Sequence, residues 1–198
     1  MPKQIDFYFD FGSPTAYLAW TQLPRIAAEY EAALVMKPVL LGAIHKATNN
    51  MSPAMIPAKG AWMQQDLARF ARSYGVRYQH NPFFPINTLT LMRGATGTQM
   101  RDSALFERYV EVIFRAMWET PQNLGDMETL QSVLRAGDID PQLIVQIVQD
   151  PEVKEKLKAD TDAAIARGLF GAPTMFVGDE MFFGQDRMTF IRDALQLD

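Results

Sequence analysis

Phe9-Asp10-Phe11-Gly12-Ser13-Pro14-Thr15-Ala16-Tyr17-Leu18 runs from the end of a strand pattern through a glycine into the start of a helix. Upstream, Ile5 to Phe11 is dense in aromatics and alternates apolar with mixed residues, which predicts a strand with one face well buried. Downstream, Ser13 stands where a helix N-cap belongs, and Pro14 takes the first helical position, where a missing N–H costs nothing. Tyr17, Leu18, Trp20, Leu23, Ile26, Ala27 and Tyr30 then recur at helical spacing, so one helix face should pack on a sheet. Pro24 falls inside this helix and is expected to kink it. N–H groups at a helix start lack intrahelical acceptors, and the macrodipole adds roughly half a positive charge. The turn can therefore steady an anion, a thiolate included. A plain N-cap role for Ser13 explains the same residues, and the turn alone does not separate the two readings.

Working outward, Leu34 to Leu41 reads as a second strand, with Pro38 requiring an edge position or an unpaired N–H. These segments make one right-handed β-α-β unit. From about Gly42 to Asp160 only helical patterns follow, near 60–74, 88–97, 102–119, 126–136, 140–149 and 151–167, broken by Pro, Gly and Asn. Strand chemistry returns at Thr174 to Val177, a turn through Gly178, Asp179 and Glu180 follows, and Met181 to Phe183 reads as the hairpin partner. A last helix is expected over about 186–197, with Met188, Ile191 and Leu195 on one face. The predicted organisation is a first part over 1–41, an all-helical insertion over 42–160 and a second part over 161–198. Strand 174–177 should then share a sheet with strand 5–11.

Composition narrows the functions. The chain has 198 residues, 48% hydrophobic, enough to bury a sizeable core. Its net charge is -4 and its 19 Lys and Arg are scattered, so a nucleic-acid partner is not expected. The first residues build no apolar signal core, and no apolar run approaches the roughly 20 residues that cross a bilayer, so neither a membrane partner nor export is expected. With no cysteine there is no disulfide, no protein thiolate and no thiolate-ligated metal. The 12 methionines argue against a harshly oxidising compartment, which makes the cytoplasm the expected location. His45 and His80 show no ligand spacing, and no metal is expected.

A second motif, Gly171-Ala172-Pro173-Thr174, stands just ahead of the second strand block. A proline at the head of a strand is often only an edge device. Paired with the Gly12-Ser13-Pro14 turn, however, it falls where a thioredoxin fold completes its active site. In that fold a cis-proline lies beside the first helix's N-terminus, and the residue before it offers its backbone to an extended peptide. Together with Phe183-Gly184-Gln185-Asp186-Arg187 and the helical insertion, these motifs resemble the DsbA-like thioredoxin superfamily. Within it they are similar to the 2-hydroxychromene-2-carboxylate isomerases and the kappa-class glutathione transferases. The resemblance implies an α/β thioredoxin-like fold with a large all-helical insertion.

Where dithiol relatives carry Cys-x-x-Cys, this chain has Ser13-Pro14-Thr15-Ala16, so any sulfur at the site must arrive on a ligand. The resemblance names that ligand as glutathione and implies its contacts. Ser13 would give its hydroxyl proton to the glutathione sulfur, and Ala172 would pair its backbone with the cysteinyl part. Asn50 and Lys59 would meet the polar ends of the tripeptide, and Gln185 with Asp186 would hold the γ-glutamyl end. Blander readings stay open: a turn at Asn50, a solvated Lys59, and Asp186 as the cap of the last helix.

The second substrate is expected between the thioredoxin part and the insertion. Lys46, Trp62, Asn87 and Arg93 are the candidate contacts, with His45 a candidate for proton transfer. The resemblance implies an isomerase acting on a small aromatic carboxylate from aromatic breakdown, and a homodimer. A kappa-type transferase or peroxidase, and a non-catalytic peptide-binding module, are the alternatives.

Overall fold

The computed structural model of the chain describes residues 3–197. Strand β1 (Gln4–Phe9) leads through a turn into helix α1 (Pro14–Glu29), which returns the chain to β2 (Ala33–Pro38), parallel to β1. Far along the chain, β3 (Thr174–Val177) pairs antiparallel with β1, with Tyr8 opposite Thr174 and Ile5 opposite Val177. Strand β4 (Glu180–Phe183) completes the hairpin, giving one sheet in the order β2-β1-β3-β4. The two ends of the chain thus share a sheet, as the motifs predict. Pro38 lies on the edge strand β2, and α1 continues unbroken through Pro24. The first strand is shorter than expected. It stops at Phe9, and the Ser13 N–H folds back onto the Asp10 carbonyl at 3.0 Å.

Between the two halves run α2 (Leu41–Thr48), α3 (Pro57–Tyr74), α4 (Leu89–Arg101), α5 (Ser103–Trp118), α6 (Met127–Ala136), α7 (Pro141–Gln149) and α8 (Pro151–Ala166), and α9 (Met188–Leu197) follows the hairpin. Several starts are capped as their sequences suggest: Asp102, Asp126, Asp140 and Asp150 each accept a first-turn N–H. Helix α2 was not expected. It is short, contains Gly42, and its preceding residue Leu40 offers no capping side chain. Its first N–H, on Leu41, is bound instead by the Asp10 carboxylate at 2.9 Å, a cap supplied from 31 residues away.

Helix α8 runs unbroken through residue 160, where the expected second junction lies. The core is also continuous across the expected units. Phe7, Phe9 and Phe11 on the first segment and Phe114 on α5 are fully buried, and the Phe11 and Phe114 rings are 4.8 Å apart. Each buried phenyl contributes about 1.5–3 kcal/mol relative to exposure, so the insertion and the sheet share one stabilising cluster. The Trp118 indole N–H, at the end of α5, donates to the Phe11 carbonyl at 2.9 Å and fixes the insertion to the Gly12 turn. On the other face of the sheet, Tyr8 and Phe176 pack with Ala164 of α8 and Ile44 of α2.

Candidate active site

The N-terminus of α1 and the segment before β3 meet. Ser13 is 4% exposed and caps α1, its hydroxyl oxygen accepting the Ala16 N–H at 3.1 Å. The same hydroxyl donates to the Ala172 carbonyl at 2.9 Å, and the Ala172–Pro173 peptide bond is cis. Thr15 stands beside it, with Oγ1 2.9 Å from Ser13 Oγ and 3.5 Å from the same carbonyl. In this arrangement the Ser13 proton belongs to Ala172, not to open space. A thiolate that takes this proton must leave the carbonyl to Thr15, which is already within reach. Two backbone donors border the same space: among the described residues, neither the Thr15 nor the Ala172 N–H has a hydrogen-bond partner.

These groups head a cavity of about 400 Å³ that reaches from Ser13 to Gln185 and Asp186, past Asn50, Trp62 and Asp66. Gln185 is 5% exposed and clamped by the Tyr74 hydroxyl, which lies 2.7 Å from its backbone carbonyl and 2.8 Å from its Oε1. With Oε1 engaged, the amide N–H₂ is left to donate toward the cavity. Burial, together with the nearby Asp186 carboxylate, pushes the Tyr74 phenol up to about 12, so it remains a donor at neutral pH. Asp186 is paired with Arg187 at 2.7 Å. It does not open the last helix as expected, since α9 starts at Met188. Gly184 precedes them at φ 101°, and a Cβ there would fall 2.6 Å from Asp186 Oδ1. The positive φ is what favours glycine there, and a side chain would in addition displace the Asp186 carboxylate.

The other expected contacts divide. Asn50 lines the cavity, but both ends of its amide are engaged: Nδ2 donates to the Phe170 carbonyl at 2.9 Å and Oδ1 accepts the Met51 N–H at 2.8 Å. It ties the end of α2 to the loop that carries Ala172. Lys59 is exposed in the first turn of α3, one and two turns ahead of the cavity-lining Trp62, Met63 and Asp66 on the same helix face. Trp62 is 59% exposed, part of the wall and not of the core. Lys46 and Arg93 line neither this cavity nor its neighbours. Asn87 borders a separate cavity of about 350 Å³ and spends its Oδ1 on the Leu89 N–H at 3.0 Å, shaping the entry to α4.

Asp10 lies under the turn. It is buried and accepts the Gly12 and Leu41 N–H groups, each at 2.9 Å. Burial pushes its carboxyl above the usual range, while those two N–H groups pull it back. His45 lines both the Ser13 cavity and the 350 Å³ one, and burial lowers its imidazole against the pull of Asp10. Among the described residues, no group of three His, Asp or Glu is placed to hold a metal ion.

Sequence reading missed Thr15, Tyr74 and Asp10. Thr15 was legible, a second hydroxyl two residues after the first. Tyr74 is 111 residues from Gln185, and nothing local marks the pair.

Comparison with known proteins agrees with this fold. The DSBA-like thioredoxin domain family matches residues 4–196. A 2-hydroxychromene-2-carboxylate isomerase of Pseudomonas putida is 29% identical over 195 residues, covering 96% of this chain and 93% of the relative. Glutathione S-transferase kappa 1 of Caenorhabditis elegans is 30% identical over 210 residues, covering 99% and 93%. The solved structure of a 2-hydroxychromene-2-carboxylate isomerase superposes with a TM-score of 0.86 at 30% identity, covering 98% of this chain and 95% of that one. A probable DsbA oxidoreductase of Streptomyces coelicolor, at 17% identity and a TM-score of 0.73, shares the fold. Cysteine-free at the helix start yet built on the same frame from end to end, the chain belongs to the DSBA-like thioredoxin domain family.

Proposed function

We propose that the chain is a glutathione-dependent isomerase of the 2-hydroxychromene-2-carboxylate isomerase type, working on an unsaturated carbonyl intermediate of aromatic breakdown. The isomerase class rests on relatives of that name at about this identity over nearly the whole chain. One observation carries the glutathione reading: Ser13 and Ala172, 159 residues apart, meet at 2.9 Å at the head of a cavity in a protein without cysteine. When bound, glutathione supplies a thiolate nucleophile whose reversible addition to a conjugated carbon frees a double bond to rotate.

The chain's own groups fit such a ligand. The Thr15 and Ala172 N–H groups, without hydrogen-bond partners among the described residues, and the Ser13 hydroxyl line one cavity at the positive end of α1, and there they would serve a sulfur anion. The Ala172 N–H can also take a main-chain carbonyl of the tripeptide. Gln185 offers its amide donors to the γ-glutamyl carboxylate, and Asp186 offers its carboxylate to the ammonium in exchange for Arg187. Lys59, at the rim, is available to the glycyl carboxylate. Asn50 acts on the ligand indirectly, by holding the loop of Ala172. The homodimer and the cytoplasmic location remain parts of this proposal. Sedimentation of the purified protein checks the first, and an N-terminal sequence from native cells, begun at or next to Met1, checks the second.

Incubation with glutathione and a cis aryl enone, followed by mass spectrometry and chromatography, tests the function. Trans enone with no net adduct is the expected product. A lasting adduct would assign a kappa-type transferase instead, and absence of glutathione binding would leave a peptide-binding module.

A further inference from the structure

On the glutathione reading of the Ser13 cavity, a thiol must lose its proton there before its sulfur can attack. The Ser13 hydroxyl and the Thr15 and Ala172 N–H groups can steady the anion, but none of them takes a proton at neutral pH. Among the described residues, three titratable side chains line the cavity: His45, Asp66 and Asp186. Asp66 is paired with Arg69 at 3.6 Å and Asp186 with Arg187 at 2.7 Å, and a carboxylate beside a guanidinium is a weak base. His45 is left, with a side chain whose ordinary titration falls near neutrality.

Its place is set by α2. Leu41 and His45, one turn apart, are the two residues of this helix that line the Ser13 cavity. Both also line the 350 Å³ cavity, and with Gly12, Ser52 and Phe84 they make the wall between the two. His45 thus shares this wall with the glycine immediately before Ser13. The helix is fastened to both halves of the site, by the Leu41 N–H on Asp10 at 2.9 Å and, past its end, by Asn50 Nδ2 on the Phe170 carbonyl at 2.9 Å. On the 350 Å³ side stands the buried Asp10 carboxylate, whose charge favours a protonated imidazole, whereas burial favours the neutral ring. Burial prevails, so His45 enters the reaction as a base. Lys46, the other charged residue of α2, is exposed and lines neither cavity. Helix α8 meets α2 through Ala164 at Ile44 and brings no charged group to either cavity.

We propose that His45 is the proton-transfer residue of the site: it takes the thiol proton of bound glutathione and leaves the sulfur as the thiolate of a thiolate–imidazolium pair. His45 then holds this proton while the C–S bond forms and the electron pair of the attacked double bond moves to the substrate oxygen. It gives the proton to that oxygen, and recovers it as the double bond re-forms and the C–S bond breaks. The cycle ends with the proton back on the sulfur, and it consumes no other reactant.

The pairing can be read without turnover. His45 and His80 are the only histidines of the chain, and His80 does not line the Ser13 cavity. Proton NMR of the two imidazole rings, assigned with His80→Gln, therefore carries one reporter and one control. Glutathione should raise the pH midpoint of His45 by about 1 unit or more and leave His80 in place. S-methylglutathione, which has no thiol proton, should raise neither. Thiolate absorbance of the complex reads the other partner: in His45→Gln it should appear at a pH about 1 unit or more above wild type. Turnover of this variant at neutral pH should fall by about a hundredfold or more. Its affinity for S-methylglutathione should stay within about twofold of wild type, as the site is otherwise intact.

An unmoved His45 midpoint in a protein that binds glutathione by calorimetry, an equal rise with S-methylglutathione, or a wild-type thiolate titration in His45→Gln would each overturn the assignment and leave the proposed function standing. Absence of calorimetric binding of glutathione would overturn both.

Discussion

Replacing Ser13 with alanine removes one oxygen that takes part in three interactions. It accepts the Ala16 N–H at 3.1 Å, donates to the Ala172 carbonyl at 2.9 Å and lies 2.9 Å from the Thr15 hydroxyl. The lost cap costs about 0.5–2 kcal/mol. The lost hydroxyl–carbonyl bond costs about 0.5–1.5 kcal/mol more, offset in part as Thr15 closes from 3.5 Å onto the same carbonyl. The sum is about 1–3 kcal/mol, and at about 2–4 °C per kcal/mol for a domain of this size a mid-range loss lowers the melting temperature by about 4–8 °C.

The ligand gives a second and independent number. A hydrogen bond to a charged acceptor is worth about 1.5–3 kcal/mol, which corresponds to about 1–2 pH units in the titration of the bound thiol. If Ser13 gives its proton to the anion, as proposed, removing it disfavours the thiolate and raises that pKa. The assay is thiolate absorbance of the glutathione complex against pH, in wild type, Ser13→Ala and Thr15→Val. Thr15→Val keeps the cap but leaves the Ser13 proton committed to Ala172, so it should raise the thiol pKa with a smaller loss of stability. If Ser13→Ala melts lower but titrates like wild type and keeps its activity, the hydroxyl is only a helix cap and the backbone N–H groups activate the sulfur without it.

Tyr74→Phe removes the hydroxyl that holds both oxygens of a buried Gln185; calorimetry should show a stability loss of about 1–3 kcal/mol and several-fold weaker glutathione binding, without a shift in the thiol titration. Asp10→Asn turns an amide N–H₂ toward one of two backbone N–H groups, and denaturant unfolding should register a loss of about 1–3 kcal/mol. Its pH dependence has a sign. Because burial raises the Asp10 pKa in the folded state, the wild type binds more protons folded than unfolded just above the ordinary carboxylate range. Wild-type stability therefore falls as pH rises from the unfolded value through the raised folded one, and the deficit of Asp10→Asn should shrink over that window. A deficit that grows with pH there would mean that the two N–H groups outweigh burial.

The frame was legible wherever local chemistry fixes local structure. Aromatic alternation over residues 5–11, the Ser13-Pro14 helix start and the Gly178 turn each carry their own signal; α1 and the hairpin stand where those signals put them, and β1 does so except that it ends at Phe9. Helix α2 was not legible because its cap comes from Asp10, on the other side of β2. The site divides along the same line. Ser13 and Ala172 were named because each sits in a motif, whereas the clamp of Tyr74 on Gln185 exists only after α3 is laid against the last turn of the chain. Lys46 and Arg93 were named as candidate contacts by their place in the sequence, which does not say which side of a helix faces a cavity. Residues without charge, Met63, Leu67 and Phe84, line the Ser13 cavity instead.

The ten residues that begin at Phe9 are held from three remote places. Asp10 receives the Leu41 N–H, Phe11 receives the Trp118 indole, and Ser13 reaches Ala172, at separations of 31, 107 and 159 residues. Contacts of such span bear a large loop-closure cost before they return any stabilisation. During synthesis the first of these tethers becomes available early, the second after more than half the chain has emerged, and the third only near the end. A nascent or truncated chain that stops short of Ala172 owns the serine, the turn and the helix, but no pocket. Ligand affinity is therefore a measure of complete synthesis: a protein cut anywhere before the last strand pair should fail to bind glutathione however well its helices form.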